Sequence, residues 1–531
     1  MNPRAPVFGR TFDYLDYHAA TQPTAEAMVH LERRWSWREL KVEVDRWARA
    51  LLALGVTKGD RVACLSTPRP EFWISFLAAS RIGAIWVGLN PRYTQRELAY
   101  VMRDSAPVLL VALARHGDRD FLPDIGAVAA ETHSLRETVI FEPGEVQSPS
   151  LDRFLQSGNA LPEGALKEAG DAVGPRDPTL IVYTSGTTGA PKGAILAHWG
   201  LSYCSQFQNR AWGTRRAQTR IINFFPVNHL ASVGDISCFV LVAGGALIWM
   251  EQFDPAAVLD LVAAENVTLL GGVPTMIQMI FAQPDLDEYD LSSLETIAIG
   301  GAAVPLPLIR KLRRYVPSVS TGYGSTETVG HMTFTPPAAS DEQIALSIGL
   351  PVPEYRLRIA GPDDRSLWPG EEGEIQVEGD FLFLGYHNRP GETAEAFTSD
   401  GWYKTGDIAV AQPDGTWRLV GRKKEMYKSG GYNIYPREIE IVLEDHPLVE
   451  MAAVVGIPDP LYQEVGHAFV LTLQENSLDE ESLITHCKKY LANYKLPKRF
   501  TISNRLPILP VGKIDKQALK TSWLSDGADR I

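Results

Sequence analysis

Cysteine is scarce in this chain, with four among 531 residues. Cys64, Cys204, Cys238 and Cys487 lie far apart and form no CxxC pair. That excludes a disulfide framework and a cysteine-held metal, and it suits buried thiols in a reducing compartment. Surplus basic charge is also missing. Lys and Arg number 51 against 64 Asp and Glu, for a formal net charge of −13. An acidic chain lacks the electrostatic footprint of a nucleic-acid binder or of a protein drawn to anionic membranes. No apolar run is long enough for a membrane span: the longest, CFVLVAGGALIWM at 238–250, falls short of the roughly 20 residues a spanning helix needs. The opening MNPRAPVFGRTFDY has no apolar signal-peptide core, and the closing SDGADRI carries no lipidation or peroxisomal signal. No short-period repeat or low-complexity tract is evident. These absences lead us to expect a soluble, cytoplasmic protein; a homodimer remains open.

What is present is a large apolar fraction, 45%, with 22% charged residues, over a length that implies more than one domain. SWRELKVEVDRWARALLALG opens with a capping box, Ser36 to Glu39, and stops at Gly55. GDRVACLS reads as a strand, FWISFLAASRIG as a helix and AIWVGLN as a strand. Thr94 with Glu97 marks another helix start, and APVLLVAL is a strand again. Such alternation predicts an α/β architecture with largely parallel sheets. From about 345 the texture changes to short alternating segments joined by Gly, Pro and Asp, which predicts antiparallel strands in a small β-barrel. A compact region of helices and strands, an α+β unit of ordinary small-domain size, closes the chain. Charge and glycine concentrate in GRKKEMYKSGGYN. We therefore expect a large N-terminal domain at 1–422 and a smaller, mobile C-terminal domain at 423–531.

The stretch YTSGTTGAPKG, 183–193, follows the apolar run PTLIV. Its glycines allow close backbone approach to a ligand. Thr184, Ser185, Thr187 and Thr188 add hydroxyl donors and Lys192 a mobile positive charge. Together they suit the β- and γ-phosphates of a nucleotide. The P-loop fingerprint fails, because Lys192 follows Pro191 and precedes Gly193. The Rossmann spacing fails as well.

The stretch resembles the phosphate loop of the AMP-forming acyl-CoA synthetases, members of the adenylate-forming (ANL) superfamily, in the branch that ligates fatty and aryl acids. Further motifs follow in the family's order. TGYGSTET at 321–328 resembles its adenine and magnesium motif, and GWYKTGD at 401–407 its ribose motif. GRKKEMYKSGGYNIYPREIE at 421–440 is similar to its hinge and thioesterification segment, and LPVGKIDK at 509–516 to its catalytic-lysine motif. The resemblance covers essentially the whole chain.

It implies a two-step reaction. A carboxylate attacks the α-phosphorus of ATP, giving an acyl-adenylate and pyrophosphate; a thiolate then expels AMP. ATP and CoA are the implied substrates and Mg²⁺ the implied metal. Residues 184–189, which are Thr184, Ser185, Gly186, Thr187, Thr188 and Gly189, together with Lys192, would bind phosphates. Tyr323, Gly324 and Ser325 would meet the nucleotide, Tyr323 offering a flat face to adenine, while Gly301 and Ala302 of IGGAAVP would line ring and channel. Thr326 would contact the α-phosphate or the acyl carboxylate, and Glu327 would hold the metal. Asp407 would accept both ribose hydroxyls, as a carboxylate can, with Arg422 beside it. Lys513, a compact point charge on a Pro/Gly-rich loop, would bridge carboxylate and phosphate oxygens. Lys424 stands at the implied hinge. Lys428 would enter the site in a second state, with Gly430 and Gly431 bordering the CoA channel.

FFPVNHLASVGD, 224–235, resembles the segment at the mouth of the acyl pocket, with His229 as its gate. Asp235 lies nearby, although the ammonium-binding aspartate of peptide-synthetase relatives aligns with His229; this disfavours amino acids. Ser232, Gly234 and Ser237 predict a roomy cavity, and Phe224, Phe225, Val273 and Met276 an apolar one, suited to a fatty, aromatic or arylalkanoic acid. Arg210, Arg215, Arg216 and Arg220 form a basic run that either meets the CoA 3′-phosphate or faces solvent. The rival readings are an adenylating enzyme that loads a carrier protein and a non-catalytic nucleotide-binding regulator.

Overall fold

The computed structural model describes residues 6–142, 149–184, 191–214, 218–472, 478–509 and 512–526. Two large sheets dominate the N-terminal part. One orders nine strands, with Arg220–Asn223, Leu269–Gly272, Thr296–Ile299 and Ser318–Ser325 side by side and parallel. Gly330–Phe334 returns antiparallel to Ser318–Ser325. The other orders seven strands around the parallel Arg61–Leu65, Ile85–Leu89 and Leu109–Leu113. At its other side Pro178–Thr184 and Lys192–Ala197 form a hairpin, to which Gly385–Tyr386 is added.

Local sequence explains the covering helices. Trp37–Ala53 begins at the Ser36–Glu39 capping box and buries Trp37, Leu40, Val44, Trp47 and Leu51, one face at helical spacing. Each such large side chain contributes roughly 1.5–3 kcal/mol on burial. The segment Ala231–Cys238 is π-helical, with the Phe239 amide reaching back to the Gly234 carbonyl. Its wider turn projects Asp235 and Ile236 into the main cavity. No helix among the described residues is long and apolar enough to cross a membrane.

The region after 345 departs from the expected barrel. Arg356–Ala360, Glu372–Glu378, Tyr403–Ala411 and Trp417–Arg422 form an open antiparallel sheet whose outer strands do not pair with each other. Four strands enclose too little room to fill with side chains, a task for which about eight are needed. One face of this sheet instead meets Tyr435 through Ile408, Val410 and Val420. The next strand, Tyr427–Ser429, belongs to a separate sheet with its own core.

Two buried histidines fasten the N-terminal helix Thr11–Thr21. His18 donates from Nε2 to the Leu241 carbonyl at 2.9 Å and accepts from Gln22 at Nδ1. His198 takes the Thr11 hydroxyl at Nδ1, 3.0 Å away. Burial depresses their pKa values, from the ordinary 6.5 to about 4 for His18 and about 3 for His198. The unfolded chain therefore binds protons first as pH falls through 6.5, and stability is lost from there down to about 4 for His18 and about 3 for His198, at a slope approaching about 1.4 kcal/mol per pH unit for each histidine. We expect the urea midpoint to drop between pH 7 and pH 5, and His18→Gln to flatten that dependence; an unchanged midpoint would contradict the assignment.

Candidate active site

A cavity of about 680 Å³ opens at the carboxyl ends of the parallel strands of the nine-stranded sheet, where open α/β sheets place ligands. Each wall has a local cause. The strand Ser318–Ser325 ends in a tight turn in which the Ser325 amide donates to Thr328 Oγ1 at 2.7 Å and the Thr328 amide returns to Ser325 Oγ at 3.2 Å. That turn presents Thr326 and Glu327 to the cavity. Tyr386 donates its hydroxyl to Glu327 Oε1 at 2.9 Å, and the Phe383 amide fixes the Glu327 carbonyl.

Opposite lies the start of Tyr403–Ala411. Asp407 is buried there, 4% exposed, and has one charged and one neutral partner. Arg422 Nε sits 3.0 Å from Oδ1, and the Tyr323 hydroxyl donates to Oδ2 at 2.5 Å. Asp407 raises the Arg422 pKa, and burial followed by Asp407 pushes the Tyr323 phenol well up. Glu374 steadies the turn by accepting from the Gly406 amide and from Lys423.

Lys513 reaches the cavity from the C-terminal part. Its loop closes through Leu509 N–H to the Lys513 carbonyl, 2.7 Å, and is tied down where Thr275 Oγ1 donates to the Gly512 carbonyl at 2.6 Å. Gly512 adopts φ +80°, and a Cβ there would fall 2.6 Å from Val273, so only glycine fits. The Lys513 chain lies against Gly301, where a Cβ would come within 3.1 Å of Cε. Burial, then Arg422, lowers the Lys513 pKa. His229 lines the same cavity, and burial, then Lys513, lowers its pKa to about 4, so its ring is neutral near pH 7.

The other sequence-derived candidates divide. Thr184, Lys192, Gly301, Gly324, Ser325, Arg422 and Lys424 line the cavity. Lys192 stands 3.5 Å from Glu392 and over the Tyr386 ring. Ser185, Gly186, Thr187, Thr188 and Gly189 lie outside the described residues, as do Arg215 and Arg216. Ala302 is exposed beyond the cavity, and Tyr323 sits behind Asp407, its hydroxyl committed to the carboxylate. Lys428, Gly430 and Gly431 lie on the hairpin of Tyr427–Ser429 and Tyr432–Ile434, away from the cavity, with both glycines at positive φ.

Several pocket expectations are corrected. Ser232 and Ser237 do not widen the cavity; they are buried on Asn223, and Gly234 packs under Leu230. The π-helix turns these three inward. Phe224 and Met276 line a neighbouring cleft of about 600 Å³, not the main cavity. Arg210 pairs with Glu354, and Arg220 is taken up by Glu26 and Glu265; neither is spare for a phosphate. Sequence reading missed Trp212, Phe239, His331 and Tyr386. No local motif marks them: Trp212 and Phe239 stand at helix ends, and the return strand and the late strand addition bring in His331 and Tyr386.

Known families match most of the chain. The family model described as AMP-binding enzyme matches residues 15–387, and that described as AMP-binding enzyme C-terminal domain matches 438–513. A feruloyl-CoA synthase of Amycolatopsis sp. is 38% identical over 505 residues, covering 94% of this chain and 96% of the relative. A long-chain-fatty-acid–CoA ligase of Mycobacterium tuberculosis is 32% identical over 520 residues, covering 96% and 97%. The crystal structure of ATP-bound MatB from Rhodopseudomonas palustris superposes with a TM-score of 0.83 at 28% identity, over 97% of this chain and 99% of that one. The chain belongs to the AMP-binding enzyme family, the adenylate-forming class of the AMP-forming acyl-CoA synthetases.

Proposed function

We propose that this chain is a carboxylic acid–CoA ligase that converts an apolar acid, ATP and CoA to the acyl-CoA, AMP and pyrophosphate. The observation that carries the reading is Lys513. It comes from the C-terminal part yet lies in one cavity with Asp407, Arg422, Thr326 and His229. An acid adenylation needs that convergence, since two anions must meet with their charge offset.

In this reading Asp407 orients the nucleotide. Oδ2 accepts a hydrogen bond from Tyr323 and Oδ1 pairs with the Arg422 guanidinium, and each oxygen keeps a lone pair for a ribose hydroxyl. Thr184 and Thr326 offer hydroxyls to phosphate oxygens, and Lys192 adds charge. Lys513 bridges the incoming carboxylate and the α-phosphate, so that the P–O bond to the carboxylate forms as pyrophosphate leaves. His229, neutral, closes the acyl side without adding charge. The donor set fits magnesium carried in by the nucleotide: Glu327 supplies one carboxylate, and among the described residues no cluster of three or more metal-ligating side chains stands ready as a cage. When bound, the ion would offset phosphate charge. For the second step, residues 423–531 swing about Lys424 relative to 1–422, withdrawing Lys513 and bringing Lys428, Gly430 and Gly431 to the acyl carbon. The cytoplasm, where ATP and CoA are at hand and four buried thiols stay reduced, is the setting.

The acyl end is walled by Trp212, Ile221, Phe225, Ile236 and Phe239, which supports an aromatic or fatty acid at roughly 0.8 kcal/mol for each CH₂ buried. A panel of benzoic, cinnamic, arylalkanoic and fatty acids, assayed for AMP release with and without CoA, tests the reading. We expect release that requires both acid and CoA. Acid-dependent pyrophosphate release that ignores CoA and responds only to a carrier protein would favour the carrier-loading alternative, and nucleotide binding without either product a regulator.

A further inference from the structure

One polar cluster interrupts the otherwise apolar acyl wall. Asp235 projects from the π-helical turn, and His331 faces it from the strand Gly330–Phe334; both line the cavity. Behind them stands Gln208, 1% exposed, on the helix His198–Trp212. Gln208 Nε2 lies 2.6 Å from Asp235 Oδ1 and 3.2 Å from His331 Nδ1. The reverse amide orientation would set its oxygen against the carboxylate at that distance, so the amide nitrogen must face the pair. Its two N–H groups then serve Asp235 and His331 in turn. His331 Nδ1 is the acceptor, and the ring proton belongs on Nε2.

Both groups keep hydrogen-bonding capacity toward the cavity. A Cβ on Gly300 would sit 2.7 Å from His331 Nε2, so that glycine leaves the nitrogen uncovered. Gly330, at φ +125°, does the same beside Asp235, where a Cβ would lie 3.1 Å from Oδ1. Among the described residues no donor reaches Asp235 Oδ2, and no acceptor meets His331 Nε2. Trp212 meets the His331 ring edge-on at 4.8 Å and is itself held by Ser320. Gly301, beside Gly300, carries Lys513. The polar pair and the reactive ammonium thus border neighbouring glycines of one cavity wall.

We propose that His331 and Asp235 form a recognition site for a hydroxyl group on the ring of the activated acid, so that the substrate is a hydroxylated aromatic or alicyclic carboxylic acid. The inference rests on the ligase reading. A hydroxyl fits because it can accept from Nε2–H or donate to Oδ2, so either free group can meet it. An unsubstituted ring would leave both of them buried and unpaired, which a site built for a hydroxyl rejects strongly. Gln208 is a positioning residue that fixes the histidine tautomer.

The test compares matched acids on the whole enzyme: hydroxycinnamic against cinnamic, hydroxybenzoic against benzoic, and the amino counterparts. In at least one pair we expect kcat/KM to favour the hydroxylated acid over the bare one by about 10-fold or more. His331→Phe and Asp235→Leu should each reduce that ratio to within about threefold. A wild-type ratio near unity in every pair overturns the site without needing any variant to fold, and so does a ratio unchanged in both variants. Preference for the amine over the hydroxyl overturns the hydroxyl assignment, because the pair would then be reading a neutral N–H donor. If bare acids turn over freely, the ligase reading stands while the anchor falls; if no acid supports CoA-dependent AMP release, both fall.

Discussion

Lys513→Ala is expected to slow acyl-adenylate formation by about 10²–10³, the range seen when one preorganised donor to a developing charge is removed. The lysine is buried against Gly301 in a cavity that also holds Arg422 and Asp407. Its removal leaves the carboxylate and α-phosphate to approach with less of their repulsion offset. Thioester formation from presynthesised adenylate should be spared, since in the proposed alternation Lys513 has by then left the site with its domain. Single-turnover measurement of each half separates the two, and equal losses in both would refute the assignment. The depressed Lys513 pKa adds a pH corollary. The ammonium is present below that value and lost as pH rises through it, so adenylation should decline on the alkaline side earlier than an ordinary lysine would dictate. In the alanine variant that decline should vanish.

Lys424→Pro is expected to keep acid-dependent ATP–pyrophosphate exchange while lowering CoA ligation by about 100-fold, the scale set by displacing catalytic groups from reach. The turn at 423–425 is closed by Glu425 and Met426 amides on the Arg422 carbonyl and anchored by the Lys423 amide on Gly406. Proline at 424 leaves those bonds in place, so the present arrangement, with Lys513 in the cavity, survives. What it removes is the freedom of φ at the position that must rotate. Measuring exchange and overall ligation on one preparation checks this. Full CoA turnover in the variant would mean that the domain does not alternate about residue 424.

How much was legible in sequence follows from the range of the interactions. The capping boxes at Ser36 and Thr94 are local, and both form. The apolar, β-branched run before the glycine-rich stretch declares its strand, while its antiparallel partner Lys192–Ala197, with Lys192 opposite Thr184, carries no such signal. Asp407, Arg422, Thr326 and Lys513 were legible as motif residues, far apart in the chain, and the fold brings them to one cavity. Sequence proximity to a motif does not say which way a side chain points: Ala302 stands exposed, and the Tyr323 hydroxyl is engaged by Asp407. Ser232, Gly234 and Ser237 failed for a related reason: a π-helical turn shifts each residue's facing relative to an α-helix.

By itself the sequence determined the alternating α/β class, the order of the family's motifs and the change in texture near residue 345, because each depends on neighbours a few positions apart. Only the tertiary structure decided that Tyr323 supports Asp407, that Tyr386 holds Glu327, and that Gln208 arms His331 and Asp235 at the acyl wall. Those pairings join residues 27 to 123 positions apart. No local pattern encodes them, since hydrogen bonds of that reach exist only after the sheets have packed and excluded the water that would otherwise satisfy the same groups.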